Sequence, residues 1–210
     1  MDTALDCRRR SALAPRGGPT RRAAGVLLLL GSVLVAAPRS TPAAPEVHFS
    51  PHGGVRDRLL RQINHADSSI DLAIFDFTSG ELAGALRAAH GRGVAIRIVA
   101  DARQARGKHS EVSALLAAGL DVRLAPRNGR RGIMHHKFAV FDHAMLVTGS
   151  YNWTEAAERA NFENALFLDD PGLVTEYAAL FQRLFDGAAG APSAHPATAN
   201  GPRAPIRSGP

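Results

Sequence analysis

The sequence has almost no cysteine. Its single thiol, Cys7, lies close to the N-terminus, so the rest of the chain can form no internal disulfide and offers no cysteine ligands to a metal. Among the nine histidines, only His48 and His52 have the H-x3-H spacing of helical metal sites, but Pro51 places this pair in a predicted turn, and no H-E-x2-H spacing occurs. We therefore expect a chain that works without a metal and without any other cofactor.

Most of the chain also lacks a clear excess of positive or negative charge. The net charge is +6 at pH 7, but residues 1–44 hold seven arginines against two aspartates. Residues 45–210 hold 18 basic residues against 17 acidic ones, which is close to balance. The basic character therefore belongs mainly to the N-terminal segment and does not indicate a nucleic-acid-binding surface over the whole protein.

The N-terminal segment lacks an apolar run long enough for an ordinary membrane span. Residues 23–37 are uncharged and largely apolar, but they number only 15, whereas a spanning helix needs about 20. Arginines precede this stretch and a small, proline-rich stretch follows it, which is typical of an export signal. We interpret residues 1–44 as an export signal, with a signal anchor at residues 23–37 as the alternative. The protein is accordingly expected to be periplasmic or secreted.

From residue 46 onward, segments typical of strands and helices alternate. Short apolar or alternating segments predict strands at 46–49, 70–77, 94–100, 121–125, 136–142, 145–148 and 163–168. Longer segments predict helices at 55–63, 81–90, 110–118, 153–159 and 173–185. This order predicts an α/β sandwich with helices on a sheet. We expect one domain at residues 45–187 and a disordered, Ala/Gly/Pro-rich tail at residues 188–210.

One stretch carries the polar residues that phosphodiester chemistry requires. Residues 135–152 read H-x-K-x4-D-x6-G-S-x-N, and His135 and Lys137 lie two apart on a predicted strand, so their side chains share a face. Cleavage of a phosphodiester needs a nucleophile or base, donors for the non-bridging oxygens and an acid for the leaving group. An imidazole, an ammonium group and an amide are suitable groups. The segment from Gly149 to Asn152 is expected to open a helix, whose backbone N–H groups favour an anion.

The spacing of this stretch resembles the HKD signature of the phospholipase D superfamily. The sequence from Ile133 to Asn164 is similar to the single-motif subgroup, which includes bacterial endonucleases and the mitochondrial cardiolipin hydrolase group, and residues 66–80 and 92–101 fit it more weakly. The resemblance implies a mixed sheet with helices on its faces and hydrolysis through a phosphohistidine. In this superfamily each active site is formed by two motifs, and this chain has one. The resemblance therefore also implies a homodimer that shares one active site.

The resemblance also implies roles for individual residues. His135 would be the nucleophile, and Lys137 and Asn152 would hold the phosphate oxygens, with Ser150 nearby. Glu163 would accept a hydrogen bond from the second nitrogen of His135 and orient its ring.

Several of these residues have simpler interpretations. Asp142, although part of the signature, lies in the alternate register from His135 and is expected to be more structural than chemical. Asn152 is also a candidate N-cap with Glu155 as its capping-box partner.

A basic loop precedes the motif and has two interpretations. It is either a substrate-binding loop or a solvated one, and its three arginines are Arg127, Arg130 and Arg131.

The sequence is compatible with three classes of function. The leading hypothesis is a nuclease acting on DNA or RNA, and the alternative is a phospholipase D or cardiolipin hydrolase that releases phospholipid head groups at a membrane. A non-catalytic nucleic-acid-binding module is the third.

Overall fold

The structure, a computed structural model, describes residues 44–126, 129 and 132–190. The predictions for the N-terminal signal, for the three loop arginines (Arg127, Arg130 and Arg131) and for residues 191–210 lie outside the described residues. No helix in the described ranges is both long and apolar enough to cross a membrane.

Within this part of the chain, eight strands form one mixed sheet. They are β1 (Glu46–Ser50), β2 (Ser69–Ile74), β3 (Ala95–Asp101), β4 (Asp121–Ala125), β5 (Lys137–Phe141), β6 (Met145–Gly149), β7 (Glu163–Leu168) and β8 (Ala189–Gly190). Their order across the sheet is β1-β7-β6-β5-β2-β3-β4-β8. Only the β2–β3 and β3–β4 pairs are parallel, so the mixed α/β sheet implied by the sequence is confirmed.

Helices cover the sheet on both faces. The α-helices are α1 (Val55–Asn64), α2 (Gly80–Gly91), α3 (Val112–Ala117), α4 (Glu155–Arg159) and α5 (Pro171–Gly187). One apolar core joins α1–α4 to one face of the sheet, and a second core joins α5 to the other face. Successive side chains of β5 point to opposite faces of the sheet, so this strand contributes to both cores. Ala139 and Phe141 belong to the first core, and Phe138 and Val140 belong to the second.

Most element boundaries differ from those predicted by one to three residues, and three of these differences lie near the motif. The strand predicted to end at Phe77 ends at Ile74, because the next residues leave the sheet and Phe77 forms a bridge with Trp153. The strand predicted to begin at His136 begins at Lys137. The helix predicted from Trp153 begins at Glu155, because the side chain of Thr154 accepts the N–H of Ala157 and caps it.

The C-terminal tail was predicted to be disordered from residue 188. This is wrong for its first residues, because Ala189 and Gly190 pair with Leu124 and Arg123 and extend the sheet beyond β4.

Candidate active site

The residues of the motif meet at one end of the sheet. There β2 and β6 end while β5 and β7 begin, since each of these neighbouring strands is antiparallel to the next. A cleft of about 320 Å³ opens at this end. Its walls consist of the glycine and the polar side chains that the motif supplies, namely His135, Lys137, Gly149, Ser150, Asn152 and Glu163. Five of the six residues predicted to be catalytic thus lie at one cleft, and the sixth, Asp142, does not.

His135 lies just before β5 and packs against an aromatic ring. The imidazole and the Phe75 ring have centroids 4.5 Å apart, with an angle of 58° between their planes. Lys137 is fixed by the same ring, because its Nζ lies 4.9 Å from the Phe75 centroid, and it donates a hydrogen bond of 2.9 Å to the carbonyl oxygen of His135. Phe75 thus holds the predicted nucleophile and the predicted phosphate-binding cation in one arrangement.

The charge of Lys137 is balanced by two carboxylates. Burial lowers the pKa of Lys137 below its ordinary value, whereas the negative charges of Glu163 and Asp76 act to raise it. Burial in turn raises the pKa of Asp76, against the opposing effects of a hydrogen bond from the Phe77 backbone and of the Lys137 charge. The cleft therefore holds an ammonium group that is partly desolvated and suited to a phosphate.

Asn152 and Ser150 keep their donors available. The Asn152 side-chain oxygen accepts the N–H of Asp76 at 3.3 Å, so the Nδ2 donors are not used in this bond. The Ser150 hydroxyl accepts the N–H of Asn164 at 3.1 Å, which leaves its own proton free to donate. Both side chains can therefore donate hydrogen bonds to an anion in the cleft.

Two of the backbone N–H groups that the sequence predicted to face an anion are used within the protein. The N–H groups of Ser150 and Tyr151 both donate to the carbonyl oxygen of Asn164, at 3.1 and 3.2 Å, and α4 begins only at Glu155. Asn152 is likewise not the N-cap of this helix, since Thr154 has that role. The anion-binding groups of this segment are its side chains.

Gly149 is required by the close approach of β7. A Cβ atom at this position would lie 2.9 Å from the carbonyl carbon of Asn164 and 2.7 Å from its side-chain oxygen. Only glycine lets the end of β6 approach Asn164 closely enough for the Ser150 and Tyr151 bonds.

Glu163 lines the cleft but does not have the partner that the resemblance implied. Its Oε1 accepts a hydrogen bond of 3.0 Å from the Asn161 side chain, and within the described residues no hydrogen bond joins it to His135. Its action on the site is electrostatic, through the charge of Lys137.

Asp142 lies at the opposite end of β5 and does not line the cleft. Its carboxylate accepts the backbone N–H groups of Asp67, Ser68 and Ser69, at distances from 2.7 to 3.2 Å, and the Ser68 hydroxyl at 2.9 Å. Burial opposes its ionisation, but these hydrogen bonds outweigh burial and hold its pKa below the ordinary value. Asp142 thus fixes the start of β2 and has no contact with the reacting groups.

The sequence did not single out Phe75 and Asp76 as site residues. Both were included in a buried strand, but they form the half-buried turn that follows β2 and faces His135 and Lys137. The sequence feature that could have identified Asp76 as a site residue is its position as a carboxylate at the end of an apolar segment. Among the described residues, no group of three or more histidine, cysteine or acidic side chains is placed to hold a metal ion.

The chain is similar in sequence to a known protein family and to several of its members. Residues 59–185 match the family described as cardiolipin synthase, PLD-like domain. The mitochondrial cardiolipin hydrolase of Canis lupus familiaris is 36% identical over 157 residues, which are 73% of this chain and 61% of the relative. The human mitochondrial cardiolipin hydrolase is 39% identical over 137 residues, covering 65% of this chain and 53% of the relative. The chain thus spans little more than half the length of these relatives.

Two solved structures are matched over almost their whole length. The phospholipase D family member Nuc of Salmonella typhimurium superposes with a TM-score of 0.67 and 31% identity, covering 73% of this chain and all of Nuc. NucT of Helicobacter pylori superposes with a TM-score of 0.64 and 27% identity, over 70% of this chain and 98% of NucT. Together with the cleft formed by the H-x-K and G-S-x-N residues, these similarities establish that the chain belongs to the phospholipase D superfamily.

Proposed function

We propose that the protein is a phosphodiesterase that cleaves nucleic acid without a metal ion. The observation that carries this proposal is the convergence of His135, Lys137, Ser150 and Asn152 on one cleft. An imidazole nucleophile, a cation and two neutral donors are the groups that a phosphodiester transition state needs. The non-catalytic alternative is disfavoured because binding alone would not require a histidine between these donors.

The reaction consists of two displacements at phosphorus. A nitrogen of His135 forms a bond to phosphorus while the bond to the leaving oxygen breaks, and a general acid gives that oxygen its proton. Water then attacks the phosphohistidine, the P–N bond breaks, and the same group takes the proton of the water. Lys137, Ser150 and Asn152 stabilise the charge on the non-bridging oxygens in both steps.

The general acid is proposed to come from a second copy of the chain. The cleft contains one histidine, Lys137 is assigned to the phosphate oxygens, and the mechanism needs a second imidazole to exchange the proton, which His135 of the partner subunit would supply. Apolar side chains next to the cleft support such a contact: Phe162, the neighbour of Glu163, is 92% exposed, and Phe49, which pairs with Asn164, is 60% exposed. The proposed homodimer would cover these rings and complete the site.

A phospholipid is the second candidate substrate. It is supported by the relatives named as mitochondrial cardiolipin hydrolases. The same four groups would act on a head-group phosphodiester, so the cleft does not distinguish the two substrates. For nucleic acid, a second cavity beside the cleft adds a specific argument.

A parallel assay tests the proposal. The full-length chain is incubated with EDTA and with single-stranded DNA, duplex DNA, RNA or cardiolipin vesicles. His135→Ala is expected to abolish hydrolysis. The control His143→Asn is expected to retain it, because His143 is exposed at the far end of β5 and asparagine tolerates its positive φ of 53°.

Different outcomes of this assay have different meanings. Hydrolysis that survives His135→Ala would contradict the mechanism, and hydrolysis lost with EDTA would contradict the metal-free reaction. Hydrolysis of cardiolipin alone would replace the nuclease by the lipid alternative.

We also propose that residues 1–44 direct export. The arginines and the short apolar stretch support this proposal. N-terminal sequencing of the protein from the periplasm or the medium is expected to find a start near residue 45, whereas an intact N-terminus in the membrane fraction would establish the signal anchor.

A further inference from the structure

A second cavity lies beside the catalytic cleft. It has a volume of about 280 Å³ and lies between the end of β4, the segment before β5 and the last turns of α5. His135 lines both this cavity and the cleft, so the two spaces meet at the proposed nucleophile. Whatever occupies the cavity therefore lies next to the scissile phosphate.

The walls of the cavity are mainly apolar. Pro126 forms part of one side, Met134 and Ile133 form the second, and Leu184 of α5 forms the third. Met134 is held in place because its N–H donates to the buried carboxylate of Asp101 at the end of β3, at 3.2 Å. The cavity is thus a fixed feature of the sheet end.

Two polar groups stand at the cavity in addition to His135. The Arg183 side chain is exposed, and within the described part of the chain it has neither a hydrogen bond nor an ion pair. The imidazole of His136 packs edge-on against Phe138, with centroids 5.6 Å apart. Burial and the neighbouring charges of Lys137 and His135 lower the pKa of His136, so its neutral ring presents one donor and one acceptor.

We propose that this cavity is a subsite for the base of a nucleotide next to the scissile phosphate, in single-stranded nucleic acid. A base combines flat apolar faces with a polar edge, and proteins bind it by stacking, with guanidinium groups contributing through cation–π contact. The acyl chain of a lipid fits less well, because the cavity carries a guanidinium and imidazoles that an acyl chain cannot bind. A base in a duplex is stacked and paired and cannot enter the cavity without being extruded. This inference rests on the proposed nuclease function and specifies its substrate.

The test compares two arginine variants of the full-length protein. Arg183→Ala removes the guanidinium at the cavity, whereas Arg87→Ala removes an equally exposed guanidinium from α2, on the other face of the sheet. The substrates are a single-stranded oligonucleotide, the same oligonucleotide with one abasic position next to the cleavage site, and methyl 4-nitrophenyl phosphate. The last is a small diester that has no base.

The expected result is a change in specificity. Arg183→Ala lowers kcat/KM for the intact oligonucleotide, relative to the small diester, by about tenfold, the scale of one stacked base. The abasic position lowers the same ratio in the unaltered protein and has a smaller effect in Arg183→Ala, where only the apolar walls still contact the base. Arg87→Ala leaves the ratio unchanged.

Two results would overturn the subsite. One is an equal loss in Arg183→Ala and Arg87→Ala, which would indicate general attraction to the phosphate chain. The other is hydrolysis of the small diester and of cardiolipin vesicles with no hydrolysis of oligonucleotides, which would leave the phosphodiesterase intact but assign the cavity to a lipid. If the small diester itself is not hydrolysed in a His135-dependent way, it is the proposed function that fails.

Discussion

At the residue scale, the site depends on how one lysine is kept charged. Lys137 is partly buried, which favours its neutral form, and two carboxylates oppose this effect. One of them, Glu163, is part of the family pattern, whereas Asp76 comes from the turn after β2. A phosphate-binding lysine has to be protonated, so the carboxylates set the pH above which the site loses its cation.

Asp76→Asn tests this relation. Without the Asp76 charge, the pKa of Lys137 falls further below its ordinary value, so Lys137 loses its proton at a lower pH. The alkaline limb of the kcat/KM profile is expected to move to lower pH, and it is measured with the small diester at constant ionic strength. Asp121→Asn, an exposed change at the far end of the sheet, is the control. An alkaline limb that stays in place in Asp76→Asn would contradict the role of Asp76.

At the scale of elements, a buried ion pair joins the centre of the sheet to α5. Asp71 of β2 is 3% exposed and accepts two hydrogen bonds from Arg97 of β3, at 2.8 and 2.7 Å. The Arg97 guanidinium lies over the rings of Phe181 and Phe185 on α5. The pKa of Arg97 is raised first of all by the hydrogen bond to Asp71. This pair therefore positions α5, whose last turns form a wall of the second cavity.

Asp71→Asn is expected to lower the free energy of unfolding by about 2 kcal/mol, as measured by urea denaturation. The figure lies below that for a fully buried pair because the Arg97 side chain is 32% exposed. Asp121→Asn removes an exposed partner 3.8 Å from Arg123 and is expected to change stability by less than about 0.5 kcal/mol. Equal losses in the two variants would show that the Asp71 pair contributes no more than a surface pair.

The elements were largely predictable from the sequence, and the contacts between them were not. Alternation along β5 and the apolar stripe of α1 follow from the periodicity of single segments. The departure of Phe75 and Asp76 from the sheet depends on the bridge between Phe77 and Trp153, which are distant in the sequence. The start of α4 depends on a contact that is distant in the sequence. The Asn152 side-chain oxygen already accepts the N–H of Asp76, and Thr154 caps the helix instead.

The resemblance implied a hydrogen bond between Glu163 and His135, and the described residues do not form it. A motif identifies candidate residues, most of which meet in the cleft, but it does not fix which hydrogen bonds they form. Asn161, two residues before Glu163, competes for the same carboxylate and is invisible to the family pattern.

At the scale of the whole molecule, the exposed rings beside the cleft decide whether the active site is shared. Phe162→Glu places a charge in the proposed contact between two copies and is expected to yield a monomer that has lost most of its activity. Sedimentation velocity together with the small-diester assay measures both properties. The control Leu173→Glu changes an apolar residue of α5 that is 44% exposed and lies near the other end of β7. A fully active monomer would contradict the shared site.

The pairing of β1 with β7 has a consequence for the time at which the cleft forms. These strands join residues separated by more than a hundred positions, and Glu163 enters the cleft only when β7 has taken its place. Contacts this far apart in the sequence form late, after the chain between them is available. A chain still on the ribosome consequently has no complete cleft until β7 has been made. Until then, the unfinished chain holds His135 and Lys137 without the Glu163 carboxylate that acts to keep the lysine charged.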